Sequence, residues 1–190
     1  MEQQHDKRTW NLSRAAAITA LCSLGILVCL GELRQRNIFF YFFGLQTKLV
    51  LRITGGVLLS AVCGLIMVNL KNVVLTTIAA ILYIIALMLY FICNVWTSGE
   101  EKYYEFQSPD HKRTIVVEEC SWLLAGGSNV YQKTSPFTIT KLKSDISTDD
   151  GYRPFENKDF AITWSARTVT IAYGFGNGGD TRPFTTVQLQ

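Results

Sequence analysis

Few stretches of this 190-residue chain place reactive residue types at a spacing that suits chemistry. Asp145, Ser147, Asp149 and Glu156 fall at positions one, three, five and twelve of a calcium-binding loop. The glycine needed at position six is displaced: Asp150 stands there and Gly151 follows, while Arg153 puts a cation at position nine. The flanks read as strand and loop, not paired helices, so a solvated acidic turn is the simpler account. Gly174 to Asp180 (GFGNGGD) has the composition of a phosphate-cradling loop. Strand-like residues follow it, not a helix whose first amides would bind an anion, and the P-loop lysine is missing. His111 and Cys120 leave a Cys–His nucleophile pair open, without an orienting residue or an oxyanion loop. No G-x-S-x-G turn is present. The expectation is no catalytic residue, no metal and no cofactor.

The elements that would position any site divide sharply. Val73 to Trp96 (VVLTTIAAILYIIALMLYFICNVW) has no charge and exceeds the roughly 20 apolar residues that cross a bilayer as a helix. Ala15 to Gly31 is a second uncharged run, followed by Glu32 and Arg34 with no small-residue cleavage site, so an uncleaved helix is expected. Ile53 to Leu70 is a third, and Lys71 and Asn72 make a tight turn between it and Val73. The predicted transmembrane helices cover about 12–31, 50–70 and 73–96 of a membrane domain at 1–99. Gly56, Ser60 and Gly64 recur on one face of the second, a spacing that lets helix backbones approach closely. That face serves either packing within the chain or a seam with a membrane-protein partner or a second copy. No ionisable group lies within the three apolar runs, which argues against a stand-alone transporter or pump.

Between the first two helices, residues 37–46 read as an aromatic interfacial loop. Phe39, Phe40, Tyr41, Phe42 and Phe43 are bracketed by Arg34, Arg36 and Lys48. Rings between cations suit the headgroup zone of a lipid bilayer.

From residue 100 the pattern changes to alternation at period two. Strands are expected at Tyr103–Gln107, Thr114–Glu119, Asn129–Lys133, Phe137–Leu142, Phe160–Trp164, Thr168–Tyr173 and Thr185–Leu189, with Cys120–Ser128 a glycine-containing loop. Phe160, Ile162 and Trp164, with Val169, Ile171 and Tyr173, should line a core. Tyr103, Tyr104, Trp122, Tyr131, Tyr152 and Phe155 offer either core or a binding face. The fold class is thus three transmembrane α-helices plus a C-terminal all-β, mainly antiparallel sheet domain at 100–190.

A net charge of +3 is too small to point to nucleic acid. Four of the five cysteines, Cys22, Cys29, Cys63 and Cys93, lie in apolar runs. Cys120 alone is in the β domain, which therefore has no internal disulfide.

Ser108, Pro109, Asp110 and Lys112, then Cys120, Gly126, Trp164, Ile171 and Tyr173, resemble a pattern in small uncharacterised β domains of membrane-anchored proteins from Gram-positive bacteria. Those domains run S-P-D-G-K, a valine-rich strand, a cysteine, a glycine loop and a closing hairpin. His111 replaces the usual glycine, and the second cysteine that precedes the turn in such domains is missing. The resemblance covers about 70 residues and implies an extracytoplasmic domain without assigned chemistry. The basic residues flanking the helices mildly favour the opposite topology. Because large domains cross irrespective of charge, the expected arrangement is N-terminus inside and C-terminal domain outside the cell membrane. The expected function is a non-enzymatic binding or interaction module at the membrane surface. The alternatives are an accessory subunit of a membrane transporter and an envelope enzyme.

Overall fold

The computed structural model describes residues 2–42, 45–97, 99–122, 125–176 and 182–190. The chain forms two compact units. One comprises Met1–Arg36 and Leu45–Thr97; the other comprises Asn37–Gly44 and Ser98–Gln190.

The first unit holds α1 (Glu2–Gln35), α2 (Thr47–Asn69) and α3 (Val73–Thr97). All three are long and apolar enough to cross a membrane, the make-up of a multi-pass membrane protein. Asn72 starts α3: its side-chain oxygen accepts the amides of Val74 and Leu75, at 2.9 and 3.3 Å. In a lipid environment polar groups must be satisfied internally. Accordingly Thr76, Thr77 and Asn94 hydrogen-bond to carbonyls one turn back.

Two tyrosines of α3 lock it antiparallel to α2. The Tyr90 hydroxyl donates to the Arg52 carbonyl at 2.5 Å, and the Tyr83 hydroxyl donates to Ser60 Oγ at 3.0 Å. Ser60 Oγ in turn donates to the Gly56 carbonyl at 2.9 Å. A Cβ on Gly56 would touch the Tyr90 ring at 3.5 Å, and one on Gly55 would meet the Tyr90 hydroxyl at 2.7 Å. Gly55, outside the expected stripe, is thus the tightest point of this contact. Gly64 has open space around it.

The second unit is a two-layer β structure. Its strands are β1 (Ile38–Phe42), β3 (Glu100–Gln107), β4 (Thr114–Trp122), β5 (Ala125–Lys133), β6 (Thr138–Lys141), β7 (Ile146–Thr148), β8 (Phe160–Trp164), β9 (Thr168–Tyr173) and β10 (Phe184–Gln188); β2 is a two-residue strand, Leu45–Gln46, just before α2. Within the unit the larger sheet runs β1-β6-β5-β4-β3, with β7 also pairing β5, and the smaller runs β10-β9-β8. Ile115, Val117 and Val130 of the first meet Val169, Ile171, Tyr173 and Val187 of the second, and Phe155 completes the core. The alternation in β8 and β9 is as expected, with Val169, Ile171 and Tyr173 buried and Phe160, Ile162 and Trp164 packed on them.

Two expectations are corrected. The aromatic segment after α1 is a strand: Phe39 sits opposite Ile139 and Phe40 opposite Thr138, antiparallel to β6. Aromatic residues favour strands, and β6 offers them a free edge. A break between the units falls at 97/98, close to the expected boundary at residue 99, but Asn37–Gly44 from upstream also belongs with the β unit. Likewise Cys120–Ser128 is not a loop: β4 and β5 stay paired out to Trp122 opposite Ala125. Gly126 is needed there because a Cβ would press on the Tyr152 carbonyl at 3.0 Å.

Candidate functional site

The face of the larger sheet turned away from the main core carries the polar chemistry. Side chains on neighbouring strands share this face in register: Glu101, Tyr103 and Glu105 on β3, Val116, Glu118 and Cys120 on β4, Asn129, Tyr131 and Lys133 on β5. Val116, Tyr131 and Ile139 form its apolar centre, with Phe39, Tyr41 and Tyr103 packed around them. The Phe39 and Tyr131 rings meet edge-on at 5.4 Å, and Tyr41 and Tyr103 lie 5.7 Å apart.

At one end of this face Glu118 is 1% exposed. A carboxylate so buried must be heavily hydrogen-bonded. Tyr103 donates to Oε1 at 2.6 Å; Tyr131 and Asn129 donate to Oε2 at 2.6 and 2.9 Å. Desolvation, and then the Glu118 charge, hold both tyrosine hydroxyls well above the ordinary range, so they remain donors. Glu101, Glu118 and Cys120 each bring one ligand-type atom within 4.8 Å of the others. Two carboxylates and a thiol form the mixed donor set of a soft divalent ion, not calcium. Both Glu118 oxygens already accept strong hydrogen bonds, which makes this carboxylate the anchor of the sheet face.

Glu119, the next residue, points to the opposite face and is also buried, 2% exposed. It accepts the amides of Phe155 at 2.8 Å and Glu156 at 3.2 Å, pinning the loop that drives Phe155 into the core. Burial raises its pKa and those two amides oppose the shift.

At the other end of the same face lies an open cleft of about 620 Å³. Tyr41 and Phe42 form one wall; Glu105, Lys112, Lys133 and Ser135 stand around it. Lys133 Nζ bonds Glu105 at 3.1 Å and lies 6.0 Å over the Tyr41 ring. Desolvation, then a hydrogen bond to Glu105 and its charge, push Tyr41 up to about 12. Phe42 packs on Phe137 at 4.8 Å.

The residues singled out in the sequence are distributed differently. Asp145 directly precedes β7, Ser147 is within it and Asp149 opens the following 3-10 turn, while Glu156 is engaged by Arg153 and Lys102. Among the described residues these four do not form a ligand group. His111 sits at the tip of the β3–β4 hairpin, where its ring faces the Gln107 side chain at 3.1 Å. Cys120 lies opposite Glu101 near the far end of β4. Six strand residues at ~3.3 Å each put about 20 Å between them, so no Cys–His pair is assembled. Of GFGNGGD, residues 177–180 lie outside the described residues, as do Phe43 and the Trp122 side chain.

Arg34 ends α1, Arg36 is in the turn after it, and Lys48 is in the first turn of α2. Of the aromatics expected to serve either as core or as a binding face, Tyr103 and Tyr131 serve Glu118, whereas Tyr104 packs on Phe155 in the main core. Tyr152 donates to Asp159 at 3.1 Å. The sequence reading missed Glu118 and Glu119. The available signal was Ile115-Val116-Val117: a run apolar on both faces marks a strand buried on both sides, so the acids that continue it are buried too.

Together these features define a multi-pass helical membrane unit carrying an antiparallel β unit. Comparison of the chain with protein-family models, with curated proteins and with solved structures finds no match.

Proposed function

We propose that this is a small bacterial membrane protein whose β domain acts without catalysis, as a binding and interaction module at the outer surface of the cell membrane. The observation that carries the reading is β1. A strand encoded between two membrane-length helices is built into the sheet of the β unit. The chain therefore passes between the units at three points, 36/37, 44/45 and 97/98, not through one tether. Such a domain is held for contact with what lies at the surface: the lipid, another membrane protein or a second copy. The extracytoplasmic side rests on the resemblance of the Ser108–Tyr173 segment. On the α3 side Gly56 and Ser60 already meet Tyr90 and Tyr83 of the same chain, which narrows an accessory role in a transporter to the cavity they line with Ala16 and Thr19 of α1.

The test uses the full chain in intact cells with Cys22, Cys29, Cys63, Cys93 and Cys120 replaced. Ser165→Cys, exposed at the β8–β9 hairpin, is then treated with a membrane-impermeant maleimide. Labelling without lysis is expected. Labelling only after lysis would put the module on the cytoplasmic side and refute the assigned location. A photo-reactive residue at Phe184, 71% exposed, should yield a discrete crosslinked species in the same cells. A chain that stays uncrosslinked at every exposed β position tried would sink the interaction reading.

A further inference from the structure

We infer that the cleft between β1 and the β3–β4 and β5–β6 turns binds the anionic headgroup of a phospholipid. The inference deepens the proposed function and rests on the β domain working at the membrane surface.

The charge balance comes first. Of the two ammonium groups at the cleft, Lys133 is held by Glu105, whose carboxylate also takes the Tyr41 hydroxyl. That pair is neutral and fixed in place. Lys112 is exposed and forms no ion pair with any described residue. The lining side chains carry Lys112 and Lys133 against Glu105, with Asp110 adjoining Lys112 outside the lining, a balance that favours an anion over a zwitterion.

The apolar side comes second. Phe42 packs at a tilt on Phe137, which is 49% exposed, and Pro136 lines the cleft with Phe42. A free inorganic anion has no use for such a rim. A headgroup continuing into a glycerol backbone and acyl chains does, since cations and aromatic rings side by side match the headgroup zone. The third element is connectivity: Phe42 ends β1 five residues before α2 begins, so the aromatic wall is tethered to a membrane-length helix. At about 620 Å³ the cleft accommodates a phosphodiester with its glycerol substituent.

The experiment reconstitutes the full chain in nanodiscs of phosphatidylcholine, with and without phosphatidylglycerol, at matched ionic strength. An amine-reactive reagent reads each lysine by mass spectrometry. Phosphatidylglycerol should slow labelling of Lys112 about fivefold, the effect of one lysine meeting an anionic surface. Lys143 and Lys158, both exposed but outside the cleft, should be unaffected. Soluble glycerol 3-phosphate added to phosphatidylcholine discs should not reproduce the protection. If it does, the site takes a free phosphate ester and the lipid assignment falls. Equal protection of all three lysines would overturn the cleft as the site while leaving the surface module intact. No protection at Lys112 overturns the proposal outright. Lys133, which lines the same cleft, should be slowed by phosphatidylglycerol to a smaller extent; Lys112→Glu, at an exposed position, should remove that slowing without altering the thermal midpoint, and slowing that persists would overturn the proposal.

Discussion

Glu118 is the residue on which one face of the larger sheet depends. Replacing it with leucine fills the space but strands two tyrosine hydroxyls and the Asn129 amide. Leaving buried donors unpaired costs ~1–3 kcal/mol each, so Glu118→Leu should destabilise the β unit by about 3 kcal/mol or more. Glu118→Gln, which keeps an acceptor, should cost less. Chemical denaturation of the full chain in micelles, followed through the β signal, measures both.

These two tyrosines, with Tyr41 beside Glu105 at the other end of the face, predict an alkaline weakness. Tyr41 is pushed up to about 12, and Tyr103 and Tyr131 are raised further. A raised folded value means the fold holds the proton more tightly than the unfolded chain, where tyrosine titrates near 10. This stabilisation is complete below pH 10 and is lost as pH rises above it, for Tyr41 over the window from 10 to about 12. The thermal midpoint should therefore fall across that window. Tyr41→Phe should make the fall shallower; an unchanged slope would show that Tyr41 ionises freely.

Among the elements, β1 is the one that no local signal announces. FFYF between arginines and a membrane helix has the composition of a bilayer-surface segment. What makes it a strand is an edge on β6, with Phe39 and Ile139 separated by a hundred residues. By contrast FAITW and TVTIAY were legible because each buries one face and exposes the other within six residues. The β4–β5 hairpin was half legible. Its two glycines read as a loop, yet they are strand positions, and Gly126 has no room for a side chain. Glu118 was illegible as a site because its three donors come from two other strands. Tyr41→Pro tests the strand directly. It removes the amide that bonds the Phe137 carbonyl at 2.9 Å and the ring that packs on Tyr103. The expected loss is about 2 kcal/mol, with faster hydrogen exchange at Thr138–Lys141 and no change in helix content. Unaltered exchange there would mean that β6 does not need this partner.

For the whole molecule, three spans fix which connections share a side. The α1–α2 connection and the C-terminal domain must emerge together, which β1 in the β sheet independently requires. Reporter cysteines at Gln35 and Ser165 should label from the same face of the membrane, and one at Lys71 from the other. Opposite labelling of Gln35 and Ser165 would mean that one apolar helix does not cross. Composition made the three helices plain, whereas the partition of the chain was not, because a unit boundary drawn along the sequence cannot show a strand returned from upstream.

That returned strand has a consequence for synthesis. β1 leaves the ribosome about a hundred residues ahead of β6, roughly 5–20 s at ordinary translation rates. During that interval an aromatic segment with bare edges waits between two membrane insertions, in the form that invites wrong pairing. A chain stalled or cleaved before Thr138 would keep that segment unpaired with β6, while a finished chain pairs it. Incomplete and complete copies thus differ by one aromatic strand that lacks or has its β6 partner.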